Sequence, residues 1–162
     1  MPSHAPGRVE RMGSVAGSGR RDFLVGGLAV MVVPAGEALA ASTVIGPIRS
    51  VRDYAEAIAI ARLRNRHALV YVAAEWCAFC KTIDGKILVH PRVQARMIDF
   101  ALLKIDVTAW TAENVELLRF LNVPGPPTVF IAETEEELEV KGTRSIGSFD
   151  VNHLVARLKS VR

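Results

Sequence analysis

The 162-residue sequence is poor in cysteine: it has two, Cys77 and Cys80, and only two residues separate them. A disulfide between such near neighbours closes a very short loop, so it removes little entropy from the unfolded chain and cannot join distant parts of a fold. A scaffold held together by several disulfides is therefore excluded. We therefore expect the two cysteines to act as a reactive dithiol and not as a structural crosslink.

The sequence also lacks an apolar run long enough to cross a membrane. The apolar stretch at residues 23–33 has 11 residues, whereas a membrane-spanning helix needs about 20. This stretch follows Arg20 and Arg21 and precedes Ala-Leu-Ala at 38–40, which has the small-x-small pattern of a cleavage site. A positive segment, a short apolar segment and a small-residue cleavage site are typical of a secretory signal.

We predict that residues 1–40 form a signal peptide that is cleaved after Ala40, leaving residues 41–162 as the mature chain. The paired arginines before Phe-Leu resemble the twin-arginine export signal of bacteria, so the expected location is the periplasm. An uncleaved signal acting as a tether is the alternative. No stable membrane span is expected in the mature chain.

Neither sign of charge is in strong excess. The formal net charge is +3, and removing residues 1–40, with four arginines and three acidic residues (4 − 3 = +1), leaves +2. Binding to nucleic acid or to an anionic membrane requires a concentrated basic surface, so neither partner is expected. We expect a monomer.

Strand-like and helix-like patterns alternate through residues 41–162. Residues 67–74 are apolar on both faces, which indicates a buried central strand. Ser50 and Asp53 form a capping-box pattern, and Thr111 and Ser148 are the expected caps of later helices. We predict strands at 43–48, 67–74, 101–107 and 128–132, a hairpin partner at 138–146, and helices at 51–65, 77–88, 92–98, 112–121 and after 148. This order favours an α/β fold, a mixed sheet with helices on both faces.

The motif Trp-Cys-Ala-Phe-Cys-Lys at 76–81 follows the predicted strand 67–74, and Gly-Pro-Pro-Thr begins 45 residues after Cys80. With these motifs the chain resembles the thioredoxin superfamily over residues 50–161. It is most similar to the C-terminal thioredoxin-like domain of the bacterial thiol:disulfide interchange reductase. His-Pro-Arg-Val at 90–93 and Asp-Val-Thr at 106–108 add to this resemblance. The resemblance implies a thioredoxin-like fold, with a central mixed β-sheet flanked by helices.

The two cysteines have different expected roles. Cys77 begins a helix, where free N–H groups and the helix dipole favour a thiolate, so it is the expected attacking sulfur and should be exposed. Cys80, one turn later, is expected to resolve the mixed disulfide. The resemblance implies that Pro127, after Pro126, is a cis-proline that pairs with substrate, although a plain proline-rich turn is the alternative. Trp76 is expected either to shield the site or merely to contribute to packing.

Proton transfer is the point at which the sequence departs from its relatives. The resemblance implies a buried aspartate six residues before the first cysteine, but Tyr71 stands there, and a tyrosine does not accept a proton at neutral pH. Asp84 lies one helical turn after Cys80, on the same face. We expect it either to move the proton of the buried thiol or to be a solvated helix acid.

These features predict an exported thiol:disulfide oxidoreductase that needs no cofactor and no metal. Its expected partners are protein disulfides and a redox protein that donates electrons. Strongly oxidising relatives carry a histidine between the cysteines, and Ala78-Phe79 lacks it, which favours a reductant or relay. The alternatives are a disulfide-forming oxidase or isomerase, and a metal carrier using the same cysteines, which would need further ligands nearby.

Overall fold

The structure is a computed structural model that describes residues 42–161. The predicted signal peptide, residues 1–40, lies outside the described residues. Within 42–161, no helix combines the length and the apolar character that are needed to cross a bilayer.

The core of the fold is a six-stranded mixed sheet. Strand β2 lies at its centre, parallel to β3 on one side and antiparallel to β4 on the other, and β1 extends the sheet as a parallel neighbour of β3. Short strands β5 and β6 both pair with β4 in the antiparallel sense. The strands are β1 (Val44–Ile48), β2 (His67–Ala73), β3 (Phe100–Asp106), β4 (Thr128–Glu133), β5 (Leu138–Glu139) and β6 (Ser145–Ile146).

Strand β2 is buried along residues 68–73, as its unbroken apolar sequence predicts. Both of its edges are occupied by neighbouring strands, and both faces are covered, so side chains of either orientation enter the core. In the register of the sheet, Tyr71 lies opposite Lys104 of β3 and Val129 of β4. The strand ends at Ala73, four residues before Cys77.

Within residues 42–161, five α-helices accompany the sheet, which confirms the predicted α/β class: α1 (Val51–Arg62), α2 (Ala78–Thr82), α3 (Pro91–Met97), α4 (Ala112–Phe120) and α5 (Val151–Ser160). The single helix predicted at 77–88 is divided, because α2 continues into a π-helical turn, Ile83–Ile87. There the Leu88 N–H donates to the Ile83 carbonyl, five residues back, at 2.8 Å. Periodicity cannot reveal this change, since the sequence spacing of the apolar residues suits either turn.

Helix starts agree with the sequence at two of three predicted caps. Ser50 and Asp53 form a capping box at α1, and Thr111 caps α4 with Asn114 as its partner. The prediction for Ser148 is wrong. The carboxylate of Asp150 caps α5 by accepting the His153 N–H at 2.9 Å. Helix α5 begins after position 149 because Phe149 packs against the core as part of the preceding loop.

The hairpin partner predicted at 138–146 is also different, because it is two separate two-residue strands. Between them, the side chain of Thr143 takes the place of a backbone partner and accepts the Ile131 N–H of β4 at 3.0 Å. The Thr143 hydroxyl in turn donates to the Val140 carbonyl at 2.7 Å. A threonine that bonds to the neighbouring backbone in this way competes with the sheet ladder, so the strand is interrupted.

Candidate active site

The two cysteines lie where the central strand gives way to α2. Cys77 is the N-cap of α2, with extended backbone angles, and Cys80 is in its first turn. Their sulfurs form a disulfide, with the Cα atoms 5.2 Å apart. The Cys80 N–H also donates to the Cys77 sulfur at 3.2 Å. The first sulfur is therefore the one that receives a backbone hydrogen-bond donor of the helix start.

Both cysteines are buried in the disulfide form. Cys77 is 7% exposed and Cys80 is 2% exposed, whereas the neighbouring rings of Trp76 and Phe79 are more than half exposed. The expectation that Cys77 is exposed is therefore wrong for this form, because its sulfur is turned toward Cys80 and the helix backbone. The order of exposure still agrees with the sequence, since Cys77 is the more accessible of the two.

Trp76 is held in place by the loop that follows β3. Its indole N–H donates to the Thr108 carbonyl at 3.0 Å, and its ring lies 6.0 Å from that of Trp110. The N–H of Glu75 donates to the Thr108 hydroxyl at 3.0 Å. Trp110 is 47% exposed. The two indoles thus form a partly exposed aromatic surface beside the disulfide, and sequence reasoning found only one of them.

Pro127 lies at the same end of the sheet as the disulfide. The Pro126–Pro127 peptide bond is cis, and Thr128, the first residue of β4, pairs with Val72 near the end of β2. The loop is fastened at both sides, because the Thr128 hydroxyl donates to the Gly125 carbonyl at 2.6 Å and the Gly147 N–H donates to the Pro127 carbonyl at 2.9 Å. A Cβ atom at Gly125 would lie 3.7 Å from the Trp110 ring. The proline loop therefore reaches the same aromatic surface.

Asp84 and Cys80 line one cavity of about 690 Å³ on the side of α2 that faces β1 and β3. Its wall includes Lys104 and Asp106 of β3 and the Gly46–Pro47 step of β1. The structure thus brings Asp84 and Cys80 to a shared space, as their spacing predicts. Trp76 and the loop of Pro127 are linked through Trp110, which lies beside the Trp76 ring and near Gly125.

Lys104 is the residue of this cavity that sequence reasoning missed. Its ammonium contacts both carboxylate oxygens of Asp84, at 2.8 and 2.9 Å, and lies 5.5 Å from the centre of the Tyr71 ring. One signal was available: Lys104 is the only charged residue within the otherwise apolar segment 101–105. A lysine in a buried strand needs a partner for its charge, which is here the acid of the active-site helix.

Tyr71 is fully buried and cannot replace an acid. Its hydroxyl donates to the Cys80 carbonyl at 3.1 Å. Burial raises the pKa of Tyr71 well above its ordinary value, and the negative charge of Asp84 raises it further. Tyr71 is therefore a neutral hydrogen-bond donor that ties β2 to the active-site helix.

Acidic side chains at the cavity do not form a metal centre with the cysteines. Asp106 is occupied by Arg49, whose guanidinium lies 2.8 Å away, and by the N–H of Thr108 at 3.0 Å. Burial opposes ionisation, but these hydrogen bonds lower the pKa of Asp106 overall. Across residues 42–161, no group of three or more histidine, cysteine, aspartate or glutamate side chains is arranged to hold a metal ion.

A family model described as thioredoxin-like matches residues 49–133, just over half of the chain. The chain belongs to the thioredoxin-like family. Among curated proteins, it is 28% identical over 129 residues to the thiol:disulfide interchange protein DsbD of Pseudomonas fluorescens, covering 80% of this chain and 22% of that protein. It is 34% identical over 126 residues to DsbD of Ralstonia nicotianae, covering 76% of this chain and 20% of that protein. The chain therefore spans about a fifth of the length of these relatives.

Solved structures of the family share the fold. The C-terminal domain of Neisseria meningitidis DsbD in the reduced form superposes with a TM-score of 0.56 at 24% identity, covering 68% of this chain and 94% of that domain. A thioredoxin from Thermus thermophilus gives a TM-score of 0.59 at 25% identity, covering 75% and 87%. The thioredoxin-like fold and the resemblance to the DsbD domain are thus confirmed. With the Cys77–Cys80 disulfide, they support the predicted class, a thiol:disulfide oxidoreductase.

Proposed function

We propose that this thioredoxin-like chain is exported and that its reduced Cys77/Cys80 pair reduces, or relays electrons to, disulfides of periplasmic proteins. The observation that carries the proposal is the disulfide at the start of α2, in which the Cys77 sulfur receives the Cys80 N–H at 3.2 Å. A backbone donor favours the ionised form of a sulfur. Cys77 is therefore the sulfur that attacks.

Two exchange steps complete one turnover. The Cys77 thiolate attacks one sulfur of a substrate disulfide, which forms a mixed disulfide and releases the other substrate sulfur as a thiolate. The Cys80 thiol then loses its proton and attacks the Cys77 sulfur. The Cys77–Cys80 bond forms and the bond to the substrate breaks, so two electrons have passed from the protein to the substrate. A reducing partner must restore the dithiol.

Asp84 is the proposed acceptor of the Cys80 proton. Both groups line the same cavity, and Tyr71, at the position where relatives carry an acid, is a hydrogen-bond donor to the Cys80 carbonyl. A carboxylate that takes the proton as the sulfur attacks acts as a general base. When the substrate thiolate leaves, the same proton can return to it.

The exposed surface of Trp76 and Trp110, with the loop of Pro127, is the proposed docking site for the substrate. Trp110 connects the two parts, because it lies beside the Trp76 ring and near Gly125 of the proline loop. Aromatic rings that are exposed beside a reactive group offer contact area at a low cost in side-chain entropy. Substrates with an apolar residue next to their disulfide are expected.

Insulin reduction by dithiothreitol tests the catalytic proposal. The wild-type protein is expected to speed the precipitation of the insulin B chain, and Cys77→Ser to abolish this acceleration because no mixed disulfide can form. Lys141→Ala, which changes an exposed lysine, is the matched control. Equal rates for the wild type and Cys77→Ser would refute the proposed role of the dithiol.

The direction of electron flow is tested by the reduction potential of the pair. A value near that of thioredoxin, about −270 mV, supports reduction, whereas a value near about −120 mV supports a disulfide-forming oxidase. Equilibration with glutathione followed by thiol trapping gives this value. Incubating Cys80→Ala with a periplasmic extract would trap substrates as mixed disulfides on Cys77.

Export is tested on the full chain expressed in a bacterium. The proposal expects a periplasmic protein whose N-terminal residue is Ala41, and it expects Arg20→Lys/Arg21→Lys to remain in the cytoplasm, since twin-arginine signals require both arginines. A periplasmic product from the double variant would refute the twin-arginine route, and an intact N-terminus would refute cleavage.

A further inference from the structure

The cavity beside the disulfide contains one ion pair that joins the sheet to the active-site helix. Lys104 belongs to β3, and Asp84 belongs to the π-helical turn that follows α2. Their contact is bidentate, at 2.8 and 2.9 Å, with both side chains about two-fifths exposed. A single rotatable carboxylate held at both oxygens has one defined orientation.

Lys104 also contacts Tyr71. Its ammonium lies 5.5 Å from the centre of the Tyr71 ring, a distance at which a cation is attracted to the face of an aromatic ring. Tyr71 lies opposite Lys104 in the β2–β3 register and donates to the Cys80 carbonyl. Contacts therefore run from the Cys80 backbone through Tyr71 and Lys104 to Asp84.

We propose that Lys104 is a positioning residue for the second exchange step: it holds the Asp84 carboxylate toward the cavity that Cys80 lines. This inference rests on the proposed function. During that step the Cys80 proton passes to Asp84, the Cys80 sulfur bonds to the Cys77 sulfur, and the substrate leaves as a thiolate. Lys104 exchanges no proton and touches neither sulfur; it keeps the proton acceptor in place.

Other charged groups also face this cavity and are held constant in the test. They are Glu75, Lys81 and Asp106, of which Asp106 is paired with Arg49. Tyr71 is neutral. Within residues 42–161, Lys104 is the ion-pair partner of Asp84. Replacing Lys104 therefore removes this partner from the carboxylate and leaves the other charged groups of the cavity unchanged.

The two exchange steps can be timed separately with one equivalent of 5,5′-dithiobis(2-nitrobenzoate) and the reduced protein. Attack by Cys77 releases a first thionitrobenzoate, and attack by Cys80 on the mixed disulfide releases a second. In Lys104→Met, we expect the first phase to be unchanged and the second to slow by about fivefold at neutral pH, the ceiling for a partly exposed ion pair.

Three variants give the test its specificity. Lys104→Arg should restore the second phase, because a guanidinium also binds a carboxylate at both oxygens. Lys86→Met removes an exposed lysine of the same π-helical turn and should change neither phase. Adding Lys104→Met to Asp84→Asn should slow the second phase no further than Asp84→Asn alone, because the lysine acts through that carboxylate.

The outcomes separate this inference from the proposed function. If the wild type releases no second thionitrobenzoate, the proposed dithiol exchange fails. If the wild type shows both phases and Lys104→Met keeps the wild-type second phase, the positioning role is refuted while the proposed function stands. Additive slowing in the double variant, or equal slowing of both phases by Lys104→Met, would also refute it.

Discussion

At the scale of single residues, Tyr71 shows how the fold accommodates a tyrosine at the position where the resemblance implies a buried aspartate. Its phenol lies in the middle of the buried strand β2, and its hydroxyl reaches the Cys80 carbonyl at 3.1 Å. An aspartate there would carry a charge into the core, whereas a tyrosine needs only one hydrogen-bond partner. The side chain thus supports the active-site helix mechanically, and the proposed proton transfer uses Asp84 instead.

Tyr71→Phe tests this support. Removing the hydroxyl deletes one hydrogen bond to the Cys80 carbonyl, which keeps the Ile83 N–H as a donor, so we expect the free energy of unfolding of the oxidised protein to fall by about 1 kcal/mol. Urea unfolding followed by circular dichroism at neutral pH gives the value. Tyr54→Phe is the matched control, since no hydrogen bond of the Tyr54 hydroxyl occurs among the described contacts, and it should lose less. Equal losses in the two variants would contradict the proposed support.

Three residues of the site could be predicted from the sequence, and two could not. The C-x-x-C spacing identifies Cys77 and Cys80 as a redox pair, and helical periodicity places Asp84 on the same face as Cys80. Lys104 and Trp110 become functional candidates only when β3 is aligned beside β2, because their partners lie 20 and 34 residues away, respectively, at Asp84 and Trp76. Local patterns carry no information on such pairs.

At the scale of secondary structure, the start of α5 illustrates a competition between neighbouring caps. Ser148 and Asp150 are both good N-cap residues, and Ser148 is the one predicted from the sequence. In the structure Asp150 is the cap: its carboxylate accepts the His153 N–H, and Phe149, just before it, packs against the core from the loop. The same hydrogen bond lowers the pKa of Asp150, chiefly through the His153 backbone.

Asp150→Ala and Ser148→Ala form a matched pair that tests this cap. Losing the true cap leaves the His153 N–H without an acceptor, so Asp150→Ala should lower the melting temperature by several degrees, and Ser148→Ala should stay within about 1 °C of the wild type. The carboxylate's contribution is present above its unfolded pKa and is lost as the pH falls through its lower folded pKa. The effect of Asp150→Ala should therefore shrink in acid. A larger effect for Ser148→Ala would overturn the assignment.

At the scale of the whole molecule, the buried Tyr54 contributes to stability in a pH-dependent way. Burial, together with repulsion from Glu137 and Glu139, raises the pKa of Tyr54 to about 12. An unfolded tyrosine ionises near pH 10. The unfolded chain therefore gives up this proton first as the pH rises, so the contribution of Tyr54 is complete below that pH and is lost progressively above it.

Tyr54→Phe is expected to flatten the alkaline loss of stability. Between about pH 10 and pH 12 the wild type should lose roughly 2 kcal/mol more than this variant, which corresponds to a pKa difference of about two units. Urea unfolding at a series of alkaline pH values measures both curves, and ionisation of lysines affects them alike. Parallel curves would contradict the contribution of Tyr54.

The sequence alone determined the fold class, the order of the elements and the redox pair, because hydrophobic periodicity, capping residues and the C-x-x-C spacing are local properties of the chain. Its prediction of a cleaved twin-arginine signal at residues 1–40 stays a prediction. Only the tertiary structure decided which cap begins α5, how the strand after β4 is interrupted and which residues surround the disulfide. Each of these depends on contacts between segments far apart in sequence. Where two residues have similar local propensities, the one that is used depends on which side chains are buried in the folded protein.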